Sequence, residues 1–259
     1  MSSELFSVAG KTALVTGGTR GIGYMIAEGL VKAGARVIVS SRKPDACTEA
    51  AASLSEFGDA VAIPADLADP DQARYLADKV AEVTPELHIL VNNAGATWGA
   101  PFADFPPSAW DKVLSLNLKA PFVLTQMLRP LLEKASSSDD PARIINIGSI
   151  EGLAVPGFDN FSYSASKAAL HHLTRHVAAE LAPTILVNAI APGPFPTKMT
   201  AGVFAQRGDE LRRSNPLQRF GTPDDAAGLA VFLSSRASSY ITGAVIPLDG
   251  GLVATVQVG

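Results

Sequence analysis

The chain has 259 residues, 47% of them hydrophobic and 18% charged, and 21 basic against 25 acidic side chains leave a net charge of −4. This composition excludes a disordered chain, which buries too little apolar surface to offset the entropy of ordering, and no basic block is present to hold a nucleic-acid backbone. Cys47 is the one cysteine, so no internal disulfide forms and a reducing compartment such as the cytoplasm is expected. Residues 1–10 lack a basic start followed by an apolar run, and no stretch approaches 18 apolar residues, so neither a signal peptide nor a membrane contact is expected.

In chain order, Thr12–Thr16 reads as a strand, and the turn at 16–23 leads into a helix from Ile22 to Ala33, stopped by Gly34. Strands follow at Arg36–Ser40 and Ala60–Ile63, then a helix from Asp69 to about Val83, where Pro70 suits a first turn. His88–Val91 is the fourth strand. A polar loop, Ala135–Pro141, precedes the fifth at Arg143–Ile147; Ile185–Asn188 and Ala244–Leu248 complete seven. Most of these are unbroken apolar runs, as in strands covered on both faces. The alternation predicts an α/β protein with a Rossmann-type doubly wound seven-stranded parallel sheet in a three-layer α/β/α arrangement. One domain spanning 1–259 is expected, because the strand–helix pattern resumes directly after the polar loop.

Thr16–Gly23 reads TGGTRGIG between the first strand and first helix. Gly17, Gly21 and Gly23 allow close backbone approach to a pyrophosphate, which the unpaired N–H groups and positive end of the helix attract. The second strand ends in Ser40-Ser41-Arg42-Lys43. An acid there would accept from the ribose hydroxyls and repel a 2′-phosphate. Its absence, with Arg42 and with Arg20 in the loop, points to NADP(H) rather than NAD(H).

Further motifs follow in order: Asp66 after the third strand, Asn92-Asn93-Ala94-Gly95 after the fourth, Asn117, Ser149, Tyr163-x-x-x-Lys167, Pro192-Gly193 and Asp249-Gly250-Gly251. From Gly10 to Gly251 the sequence resembles the short-chain dehydrogenase/reductase family. The resemblance implies cofactor contacts from Gly17, Thr19, Arg20, Gly21, Ile22 and Gly23 in the loop, from Ser41 and Arg42, and from Asp66 and Leu67 near the adenine. It also implies contacts from Asn93, Ala94 and Gly95, with Asn92 in support, and from Tyr163, Lys167, Pro192, Gly193, Phe195 and Thr197 toward the nicotinamide. Asp66 also reads as a cap or turn residue, and Asn92 and Asn93 as a hydrogen-bonded turn.

Tyr163 and Lys167 lie four apart on a predicted helix and share one face. A nearby ammonium favours the phenolate, which makes Tyr163 a general acid for carbonyl reduction and a base for alcohol oxidation. Ser149 ends the fifth strand, where its hydroxyl can hold the substrate oxygen. Asn117 matches the family residue that holds a water relaying protons to the lysine. The catalytic set is therefore expected to be Asn117, Ser149, Tyr163 and Lys167, with hydride passing from nicotinamide C4.

A substrate lid is expected at about 194–220, over a pocket formed by Trp98, Glu151, Leu153, Phe158, Met199 and Phe204. Glu151 reads either as a rim carboxylate that binds a substrate hydroxyl or as a solvent-facing charge. His171, His172 and His176 share a helix with Glu180, but no H-E-x-x-H string is present; no metal and an interface or solvent role are expected. Within the family the chain is most similar to 3-oxoacyl-thioester reductases, where Arg129 would dock a carrier protein, although Ala182-Pro183-Thr184 lacks a second basic residue. The reading is an NADPH-dependent carbonyl reductase of a small-molecule substrate, acting on 3-oxoacyl thioesters as a homotetramer. A polyol, sugar or steroid alcohol dehydrogenase and a non-catalytic NADP-binding regulator are the alternatives.

Overall fold

The computed structural model describes residues 2–198 and 200–255. Its strands are β1 (Thr12–Thr16), β2 (Arg36–Ser40), β3 (Ala60–Ala62), β4 (Ile89–Asn92), β5 (Ala142–Ile147), β6 (Ile185–Pro192) and β7 (Val245–Leu248). The helices are α1 (Ser2–Leu5), α2 (Gly21–Lys32), α3 (Pro44–Ser55), α4 (Pro70–Val83), α5 (Pro107–Leu114), α6 (Ala120–Ala135), α7 (Phe161–Leu181), α8 (Ala201–Ser214) and α9 (Pro223–Ser234). The strands form one parallel sheet in the order β3-β2-β1-β4-β5-β6-β7. The expected sheet is present, with ends that move by about one residue except at β6. That strand runs four residues beyond Asn188, because Ala189–Pro192 pair with Val245–Leu248.

The unbroken apolar runs divide between the two faces at a period of two. Leu14, Ile38, Leu90, Ile144 and Val187 face a core closed by α4, α6 and α7. Val15, Val39, Val91, Ile145 and Ile190 face the other core, against α2, α3 and α9. Each such side chain contributes about 1.5–3 kcal/mol on full burial. The two covered faces leave the carboxyl ends of the strands as the open crevice.

At the opposite end, the polar loop before β5 does more than connect. Its Asp140 lies 2.7 Å from Lys11 Nζ and 3.2 Å from Arg143 Nη2. Arg143 is 1% exposed. Its guanidinium also donates to the Pro141 and Ser235 carbonyls, and Lys11 donates to the Ser234 carbonyl. Burial pushes the pKa of both cations down, and Asp140 offsets this. Asp140→Ala leaves two desolvated cations without their carboxylate and should lower stability by about 1.5–3 kcal/mol. The check is a urea midpoint shifted down at unchanged slope; a midpoint equal to that of the unmodified protein would refute the clamp.

Candidate active site

The glycine loop is built around Asn93. Its side-chain amide donates to the carbonyls of Thr16 (2.9 Å) and Gly17 (3.1 Å). The Thr16 hydroxyl in turn accepts from the amides of Asn93 and Ala94. Gly17 sits at φ +63°, and a Cβ on Gly23 would lie 2.2 Å from Asn93 Nδ2 and 2.4 Å from the Gly17 carbonyl. The loop can therefore form only with hydrogen at position 23. Arg20 precedes α2 in extended conformation and gives the helix no side-chain cap, leaving its first N–H groups for an anion.

At the end of β2 the Ser41 hydroxyl lies 3.3 Å from buried Cys47 Sγ. Arg42 is exposed and makes no ion pair among the described residues. Asp66 accepts from the Ala68 amide in a local turn, beside buried Leu67. A cradle that a Cβ would fill, with a hydroxyl, a guanidinium and no carboxylate at the β2 end, fits a 2′-phosphorylated dinucleotide. Thr19 lies in the turn before α2, Ile22 packs against the core, Gly21 faces the Thr197 methyl and Gly95 faces Asn117.

The reacting groups converge from three elements. A π-helical turn, Ser115–Lys119, interrupts the helix between α5 and α6 and carries Asn117. The Asn117 side chain accepts from the Ala96 amide (2.8 Å) and donates to the Ala96 carbonyl (2.9 Å) and Ser166 Oγ (2.9 Å). It thus ties the loop after β4 to α7. Ser149 follows β5, 7% exposed, and accepts from the Glu151 amide at 3.2 Å. Tyr163 and Lys167 occupy successive turns of α7, with Lys167 Nζ 5.5 Å from the tyrosine ring centre and donating to the Ile147 carbonyl at 2.6 Å.

Burial dominates the electrostatics here. It pushes the Tyr163 phenol up to about 12, reinforced by the Glu151 charge and partly opposed by the Ser149 hydroxyl. It brings Lys167 down to about 8 against the pull of Glu151. Glu151 is itself raised by burial, while Asn160, 2.6 Å from its Oε2, and Lys167 favour its charged form. Glu151 is half-buried and bonded, so the solvent-facing alternative does not hold.

Pro192 ends β6 and Gly193 follows it, where a Gly193 Cβ would collide with Asp249. Phe195 follows, but its ring is 2% exposed and packs on Gly221. The ring therefore belongs to the core, which leaves the main chain of Phe195 for the expected cofactor contact. From Arg20 and Gly21 a cleft of about 1010 Å³ runs beneath α8, past Thr197, Phe204, Arg207 and Arg213. α8 kinks at Arg207, whose guanidinium lies 5.8 Å from the Phe158 ring. Phe204 packs edge-on against Phe220 at 4.4 Å. Ala100 bonds to the Asp159 carbonyl, aligning the Trp98 segment with the loop that carries Leu153 and Phe158; all three side chains are partly exposed. Met199 lies outside the described residues.

His171 departs from expectation. His172 and His176 are exposed on α7, whereas His171 is 2% exposed and fills the space left by Gly148 and Gly152. An interface or solvent role therefore does not apply to it. Its ring nitrogens have no partner of normal geometry, and burial pushes its pKa down to about 4. Arg129 lies exposed on α6 and pairs with Glu133.

Comparison with known proteins matches this arrangement. Residues 17–253 match the family described as Enoyl-(Acyl carrier protein) reductase. The chain is 49% identical over 249 residues to the rhamnolipids biosynthesis 3-oxoacyl-[acyl-carrier-protein] reductase of Pseudomonas aeruginosa, covering 95% of this chain and 97% of that protein. It is 35% identical over 260 residues to the 5-keto-D-gluconate 5-reductase of Escherichia coli (strain K12), covering 98% and 100%. The Pseudomonas aeruginosa RhlG/NADP active-site complex superposes with a TM-score of 0.93 at 47% identity, over 96% of this chain and 99% of that one. Fold and kinship define an oxidoreductase of CH–OH and C=O groups. The chain belongs to the short-chain dehydrogenase/reductase family.

His171 gives a test of the buried shell. The neutral form is stabilising above its ordinary value of 6.5, and that contribution is lost as pH falls toward about 4. Between pH 7 and pH 5 the loss should reach about 2 kcal/mol. Unfolding of His171→Leu should be less acid-sensitive by that amount; parallel pH slopes would refute it.

Proposed function

We propose that this protein is an NADPH-dependent carbonyl reductase of 3-oxoacyl thioesters. The observation that carries the reading is the meeting of Ser149, Tyr163 and Lys167 at the carboxyl end of β5, beside the glycine loop. Kinship with the Pseudomonas aeruginosa reductase supports the substrate class. A sugar or polyol substrate is the second reading, supported by the 5-keto-D-gluconate 5-reductase relative. A cytoplasmic homotetramer is part of the proposal, supported by the family; among the described residues no helix is long and apolar enough to cross a membrane. The 194–220 segment acts as the lid.

The loop residues Gly17, Arg20 and Gly23 would hold the pyrophosphate, Ser41 and Arg42 the 2′-phosphate, and Asp66 the adenine. When bound, NADPH supplies the hydride. Ser149 holds the substrate oxygen by its hydroxyl, and Tyr163 gives that oxygen its proton. The raised phenol pKa suits an acid that must stay protonated until the oxygen gains charge. Lys167 lowers the cost of the phenolate that forms, and Asn117 holds α7 in register with the crevice.

Tyr163→Phe should lower kcat by about 10²–10⁴-fold with the fold intact. Undiminished NADPH oxidation at 340 nm would reject the assignment. Arg42→Ala should narrow the preference for NADPH over NADH in kcat/KM by about tenfold or more; an unchanged ratio would remove Arg42 from the phosphate site. The reduction rate needs charged Lys167, so it should hold through neutral pH and fall above about 8. A profile flat to pH 10 would contradict this.

A further inference from the structure

We infer that Glu151 determines substrate specificity, selecting substrates that are uncharged beside the reacting carbonyl and rejecting those that carry an anion there. The inference deepens the proposed reading and rests on it. Glu151 follows Ser149 by two residues in a single tight turn, and its amide donates to the Ser149 hydroxyl at 3.2 Å. Its main chain is thus fixed to the group that would hold the substrate oxygen. Its carboxylate is fixed as well: Oε2 accepts from Asn160 Nδ2 at 2.6 Å, and Asn160 immediately precedes α7, which carries Tyr163.

The charge reaches the reaction centre, since it acts on both Tyr163 and Lys167. A carbonyl carbon held between Ser149 and Tyr163 places its own substituents near this carboxylate. A second anion there meets a like charge in a partly buried site, where water screens little. The nearby cations are already engaged and are not placed to bind a substrate carboxylate directly; the charge of Lys167 is shared with Glu151 itself. Lys167 is buried and donates to the Ile147 carbonyl. Arg207, at the Phe158 rim, is held by both oxygens of Glu210.

Unused hydrogen-bonding capacity has the same sign. Among the described residues Glu151 accepts only through Oε2, which leaves Oε1 as an acceptor. That atom can receive a hydroxyl or amide N–H and repels a carboxylate. A 3-oxoacyl thioester, neutral at its C1 carbonyl, satisfies this; a free 3-oxo acid does not.

The test compares kcat/KM for ethyl acetoacetate and acetoacetate with NADPH, in the unmodified protein and in Glu151→Gln. The unmodified protein should favour the ester, and Glu151→Gln should shrink the ester-to-acid ratio by about tenfold or more. A preference for the free acid, or an unchanged ratio in an active Glu151→Gln protein, would overturn the assignment. If Glu151→Gln turns over neither compound, Glu151→Ala decides by the same ratio. Loss of all turnover in both variants, with unchanged circular dichroism, would also overturn the specificity role. Reduction of a neutral ketose such as L-sorbose without reduction of either acetoacetate compound would sink the 3-oxoacyl reading alone. The ratio of L-sorbose to 2-keto-L-gulonate, which differ only by a carboxylate in place of the CH2OH beside the ketone, then decides for Glu151 in the same proteins.

Discussion

The hydrogen bonds that fix α7 across the carboxyl end of β5 govern the rest of the site. Lys167 Nζ is bound to the Ile147 carbonyl at 2.6 Å. Two turns further on, Thr174 accepts from Asn146, which accepts from Asn92. β4, β5 and α7 are therefore joined through side chains with no access to competing water, where an unmade bond costs the full desolvation of its group. A helix held at this many buried points cannot slide by a residue. That rigidity sets Tyr163 relative to Ser149, since each sits within a turn or two of a fixed point.

The same constraint explains what was legible beforehand. The sheet was readable because its five central strands, β2, β1, β4, β5 and β6, are buried on both faces, so their apolar runs are nearly unbroken. The glycine loop was readable because position 23 admits no Cβ, and a steric rule of that kind leaves a mark in the residue types. Tyr163 and Lys167 were readable through helical spacing. His171 was legible in principle: Lys167, Leu170, His171, Thr174, Ala178 and Leu181 form one buried stripe on α7. Reading the three histidines as a group concealed that His171 alone shares the stripe. Two features left no such mark. The π-helical turn at Ser115–Lys119 has the composition of ordinary helix. Asp140 looks like any loop acid until the fold brings Lys11 across 129 residues of sequence.

Phe195 shows that a motif can locate a segment without fixing where its side chains point. The chain from Pro192 to Thr197 borders the crevice, yet the Phe195 ring turns inward onto Gly221. With that ring buried, the segment is anchored to the core next to α9. The anchor leaves α8 to hang over the cleft, held at its far side by Arg207 near Phe158. A segment tied down at its root and weakly held at its tip is suited to opening without loss of the cofactor crevice.

Burial places Tyr163, Lys167 and Glu151 in one environment and moves each toward its neutral form. An uncharged cluster would be cheap to fold but inert. The three groups oppose that tendency for one another: the lysine draws Glu151 toward its anion, and Glu151 keeps the lysine cationic. For the tyrosine the two act in opposite senses, since the carboxylate resists the phenolate and an ammonium supports it. The balance leaves a protonated phenol beside a charged lysine at neutral pH, the state from which a proton can be given to a carbonyl oxygen. Glu151, two residues beyond Ser149, is thus coupled to both groups that handle the proton, and its charge bears on reduction and on the reverse oxidation alike.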